Sequence, residues 1–80
     1  MTNDQARMLS ERLPHGYLPK AAAKLADLGH TYTWGTISRV KSGAIENEVI
    51  LHVLLDLAAE EDRRRARLDR LVRGEQPVNP

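Results

Sequence analysis

Eighty residues, 41% of them hydrophobic, with no cysteine and a net charge of +1, set the bounds of this chain. They allow one small domain and exclude a disulfide framework or a thiolate metal site. No apolar run approaches the roughly 18 residues of a membrane span and no leading segment resembles a signal peptide, so a soluble, cytoplasmic protein is expected.

A chain this short buries only about 60–65% of its unfolded surface. Without a staple its stability is marginal, which favours a homodimer that completes the core. The net charge hides an asymmetry. Residues 1–45 carry six basic groups (Arg7, Arg12, Lys20, Lys24, Arg39, Lys41) against three acids (Asp4, Glu11, Asp27), or +3; residues 46–80 carry six arginines against eight acids, or −2. The leading half is the one suited to a polyanion.

After residues 1–3, expected to fray, a first helix is predicted from residue 4 to about 13, with Asp4 or Asn3 as cap and Ala6, Leu9 and Leu13 on one face. Pro14 and Gly16 break it. Pro19 suits the first turn of a second helix, where a missing N–H costs nothing. That helix runs to about Leu28 with Ala22, Leu25 and Ala26 as its buried stripe, and Gly29 stops it. After the turn His30-Thr31-Tyr32-Thr33, Thr33 caps a third helix. Trp34, Ile37 and Val40 recur every three residues and are expected to face inward, and Ser42-Gly43 closes the helix. Asn47 caps a long fourth helix, apolar through Val49, Ile50, Val53, Leu54, Leu57 and Ala58 with Leu51 and Leu55 alongside, then charged from Glu60. Pairs Glu60–Arg64, Glu61–Arg65 and Asp69–Arg73 lie at i,i+4. Leu68, Leu71 and Val72 carry an apolar stripe to Gly74. Residues 75–80, with two prolines, read as a disordered tail, and no strand is predicted.

The expected architecture is all-α: a compact bundle of four to five helices in a single domain over residues 1–74. The second and third helices form a helix-turn-helix, and the C-terminal helix is long. In such a pair the second member is the probe for the DNA major groove, and a probe needs short polar side chains where its backbone nears the base edges. Thr33, Gly35, Thr36, Ser38 and Arg39 are the candidate base contacts, with Arg39 able to pair bidentately with guanine. Gly35 costs about 1 kcal/mol relative to alanine inside a helix, which close approach to DNA or to another helix would offset. Tyr17, Lys20, Lys24, Lys41 and Ser42 are the candidate backbone contacts, helped by the positive N-terminus of the second helix.

Together, Leu13-Pro14-His15-Gly16-Tyr17 and Thr36-Ile37-Ser38-Arg39-Val40-Lys41-Ser42-Gly43, followed by Asn47 and Val49, resemble a group of small bacterial regulators in the lambda-repressor-like helix-turn-helix superfamily. The resemblance covers residues 9–60. It implies sequence-specific binding of double-stranded DNA, usually as a dimer, with Tyr17 and Lys20 on the backbone and Thr33, Thr36, Ser38 and Arg39 facing the groove. Two departures stand out. His15 replaces the group's lysine, and the eight-residue step from Gly29 to Ile37 lengthens the turn by about two residues.

Other readings compete at several positions. Trp34 could stack on DNA, but its spacing assigns it to the core. The arginines of residues 63–67 could grip phosphate, but interleaved acids make them a solvated face. His15, His30 and His52 lack ligand spacing, so neither metal nor cofactor is expected. No carboxylate pair, nucleophile–base set or phosphate loop suggests an enzyme. The expected function is a transcriptional regulator of repressor type, dimerising through Leu57, Leu68, Leu71 and Val72. The alternative is a protein-interaction module (antitoxin, anti-repressor or assembly adaptor) that uses the long C-terminal helix.

Overall fold

The computed structural model describes residues 2–74, which fold into four helices: α1 (Asn3–Arg12), α2 (Tyr17–Asp27), α3 (Trp34–Ser42) and α4 (Glu48–Val72). The tail expected at residues 75–80 lies outside the described residues. α1 begins earlier than expected. Thr2 is the cap, its Oγ1 accepting the Gln5 N–H at 3.1 Å while the Gln5 side chain accepts the Thr2 N–H at 2.9 Å. This reciprocal capping box orders Thr2 and Asn3, which were expected to fray, and displaces Asp4 and Asn3 as caps.

Gly16 adopts φ 71° as the N-cap of α2, a conformation that strains any residue with a Cβ and lets the chain turn sharply after Pro14. α3 and α4 start on side-chain caps as read from the sequence: Thr33 Oγ1 accepts from the Thr36 N–H, and Asn47 Oδ1 from the Ile50 N–H.

The core gathers Leu9 and Leu13 from α1, Ala21 and Leu25 from α2, and Ile37 and Val40 from α3. These pack onto Ile50, Val53, Leu54, Leu57 and Ala58 of α4. α4 packs on all three other helices, and α3 packs on both α1 and α2. Among the described residues α1 and α2 do not pack on each other. α4 is thus the spine and α3 the wedge.

Three core expectations are corrected. Ala21, not Ala26, pairs with Leu25 in the buried stripe of α2; Ala26 is exposed and Ala22 half-buried. Trp34 is 55% exposed. Steps of three on a 3.6-residue helix drift about 60° each, so a helix centred on Ile37 and Val40 turns Trp34 out to its flank. Tyr32, half-buried in the connection, packs against the core instead. Leu57 is only 2% exposed and is consumed by the core, so it is not free for a dimer surface.

The 25 residues of α4 span about 38 Å, and residues 62–74 are all exposed. The molecule accordingly measures 48 × 29 × 18 Å, with a radius of gyration of 15.0 Å against about 12 Å for a compact chain of this length. The root of the overhang is lashed to α1: Arg12 pairs with Asp62 at 2.7 Å, and Arg65 Nη1 donates to the Glu11 carbonyl at 3.1 Å.

At the same level Glu61 is 5% exposed, a buried carboxylate that the sequence reading placed on the solvated face. It accepts from Arg64 Nε at 3.0 Å and lies 3.3 Å from Arg65 Nε. Glu60 turns to Lys24 at 3.0 Å, so the expected Glu60–Arg64 pair does not form, while Asp69–Arg73 closes at 2.9 Å.

The Arg64 hydrogen bonds hold the Glu61 carboxyl below its ordinary value. Burial opposes this, and the charges of Arg64, Arg65 and Lys20 assist it. A lowered folded-state pKa contributes stability that is full above the ordinary carboxylate range and is lost as pH falls through the lowered value. Glu61→Gln is therefore expected to be less stable than the parent at pH 7 and to lose less on acidification below pH about 4.5. Urea titrations across that range check this, and parallel acid limbs would contradict it.

Candidate nucleic-acid interface

α2 and α3 are consecutive, short and packed on each other, joined by residues 28–33. With Ile37 and Val40 buried, the helical repeat sends Gly35, Arg39 and Ser42 to the opposite, outward side of α3. Ser38 and Trp34 lie on one flank and Thr36 on the other. Thr33, Gly35 and Arg39 are exposed, Thr36 and Ser38 half-buried. The expected base contacts therefore spread from Ser38 on one flank, across the outward Gly35 and Arg39, to Thr36 on the other.

Two of them are already engaged. Thr33 Oγ1 and Thr36 Oγ1 lie 2.9 Å apart, and Thr33 Oγ1 also accepts the Thr36 N–H at 3.2 Å, so Thr33 serves first as the cap. Ser42 Oγ donates to the Arg39 carbonyl at 3.0 Å. Arg39 has no salt-bridge partner among the described residues.

Gly35 is the most telling position on the outward side of α3. A Cβ built there meets nothing closer than Thr33 Oγ1 at 3.9 Å, an ordinary contact, and its φ is not positive. Close packing against another helix of this chain is thereby removed as the offset for this glycine, among the described residues. Nothing among the described residues requires a missing side chain at this place.

The expected backbone contacts divide. Tyr17 and Lys41 come together, with Lys41 Nζ 5.4 Å from the Tyr17 ring centroid. They line a cleft of about 420 Å³ with Ser10, His15, Gly16 and Arg65 at the start of α2. Gly16 supplies no side-chain cap and the first turn of α2 holds no acid, so the positive end of the helix opens into this cleft, which Glu11 of α1 also lines.

Arg65 is the residue that sequence reasoning missed here. It belongs to the arginine run read as a solvated face, yet the parallel course of α1 and α4 carries it to the Glu11 carbonyl beside the start of α2. Lys20 is exposed and lies near enough to Glu61 to lower its pKa. Lys24 is diverted altogether into its pair with Glu60, because α2 packs that side toward α4.

The remaining expected site residues lie on the overhang. Leu68 and Leu71 are exposed and Val72 is 86% exposed. They continue the face of α4 that docks the core: Ile50, Leu54, Leu57, Glu61, Arg64, Leu68 and Leu71 follow steps of four and three, a heptad seam interrupted by one charged pair. A separate apolar groove of about 450 Å³ lies between α1 and α4, lined by Met8, Leu9, Leu51 and Leu55 with Gln5 and Arg12 at its rim.

Among the described residues no helix is long and apolar enough to cross a membrane, and no cluster of three or more His, Asp or Glu side chains is placed to hold a metal ion. No family model, curated protein or solved structure matches the chain.

Alanine at Gly35 is expected to stabilise the free protein by up to about 1 kcal/mol, since it adds helix propensity without a clash. Thermal melting checks this, and destabilisation would mean that the backbone of α3 is under a constraint the geometry does not contain.

Proposed function

We propose that the protein is a sequence-specific double-stranded DNA-binding regulator, of repressor type, that inserts α3 into the major groove. The observation that carries this reading is the outward strip of α3. It is built from short side chains around a glycine that no contact among the described residues requires, with the guanidinium of Arg39, unpaired among those residues, one turn on. A helix face stripped of bulk lets its backbone approach base edges, and Arg39 supplies a bidentate donor for guanine O6 and N7. Tyr17, Lys41, Arg65 and the open start of α2 offer phosphate contacts beside it, which fix register without reading sequence. The resemblance of residues 9–60 to the lambda-repressor-like superfamily supports the same assignment.

The homodimer belongs to this proposal. Leu68, Leu71 and Val72 stand on a helical overhang with no core beneath them. A lone segment of about ten residues is marginal as a helix in water unless its apolar face is covered. A second copy covers it by continuing the heptad seam, and the Glu61–Arg64 step gives that seam a register. The same residues favour the rival reading, in which a different protein occupies the overhang. Salt separates the two. Phosphate contacts weaken steeply as salt rises, whereas an apolar helix seam hardly responds.

Arg39→Ala is expected to cost about 1–3 kcal/mol on a cognate duplex and to relax one base position. Lys41→Ala is expected to weaken all duplexes alike and to lower the salt slope by about one. Fluorescence anisotropy over a salt series reads both, and salt-independent association would count against the DNA reading. Leu71→Glu is expected to sediment at the 9.0 kDa of one chain, while the parent at tens of micromolar sediments at twice that. A parent mass of one chain would remove the dimer.

A further inference from the structure

We infer that Trp34 reads thymine methyl groups, an inference that rests on α3 being the DNA-reading helix. Trp34 is the chain's single tryptophan, stands at the first position of α3 directly after its Thr33 cap, and is 55% exposed. Aromatic side chains of this size normally dominate cores and interfaces. Its neighbours on the helix surface are Ser38 and Lys41, four and seven residues on, and Gly35 follows it in the chain. None of these makes an apolar patch with it, and protein-docking surfaces are contiguous apolar areas rather than one ring among small polar groups.

The chemistry of the base edges supplies an occupant. At the major-groove edge each base presents a hydrogen-bond donor, acceptors or both, and thymine alone adds an apolar group, its C5 methyl. An indole offers a broad apolar face and one N–H donor with no acceptor. A ring at the N-terminal end of α3, the end whose residues contact base edges in a helix-turn-helix, distinguishes thymine from cytosine on apolar contact alone, while Arg39 further along the helix addresses guanine. The bare backbone at Gly35 leaves the ring room to lie flat against the groove floor.

The test uses the full chain and a duplex enriched from a random pool. The same duplex is also synthesised with deoxyuridine replacing each thymine in turn. Binding is followed by anisotropy of a labelled duplex and, independently, by the emission of Trp34. The expected result is a change in Trp34 emission on binding and one or two positions where loss of the methyl weakens binding about fourfold, the effect of returning one methyl group to water. Trp34→Ala is expected to lose that sensitivity, and Arg39→Ala to keep it. Binding by anisotropy with unchanged Trp34 emission, or with deoxyuridine tolerated everywhere, overturns the inference and leaves the DNA reading standing. Absence of binding by anisotropy overturns both.

Discussion

Everything in this molecule hangs on the face of α4 formed by Ile50, Val53, Leu54, Leu57 and Ala58. α1 and α2 do not pack on each other among the described residues, so their arrangement is set by what each shares with α4 and α3. Burying that face fixes α3 through Ile37 and Val40, and so fixes which residues of α3 remain outside. The outward strip of Gly35, Arg39 and Ser42 is the complement of the core. At about 0.8 kcal/mol per buried methylene, few side chains separate a folded α3 from a loose one in so small a domain.

α4 also joins the two ends of the functional proposal. Its first half holds α3 in place, its middle sends Arg65 across to the cleft at the start of α2, and its last turns leave the body with exposed apolar side chains. Glu61 and Arg64 sit at the junction. A buried carboxylate there is tolerable because two guanidiniums pair with it, and the charged step marks where the seam passes from this chain's own core to the exposed Leu68 and Leu71. In the proposed function, DNA contact and self-association share one element, α4.

Much of the fold was legible in the sequence, for local reasons. Thr33, Asn47, Gly29 and Gly43 act through the few residues beside them, so the limits of α2, α3 and α4 could be read directly. The candidate site was legible where it depends on helix periodicity, as with Gly35 and Arg39. Apart from the Thr2 cap of α1, a local signal passed over, the misses depend on how helices are rotated against one another. Periodicity alone does not choose between Ala21 and Ala26, or between a three-residue stripe that keeps Trp34 and one that sheds it. The partners of Lys24, Glu60 and Arg65 lie 36 to 54 residues away, and only the packing of α1 and α2 along α4 brings those groups together.

The central claim is that the outward strip of α3 reads base sequence, and selection from a randomised duplex pool at two salt concentrations tests it most directly. The account predicts an enriched motif, palindromic with half-sites about one helical turn apart, bound more weakly at the higher salt. Recovery of a pool as random as the one supplied, at both salts, would contradict it.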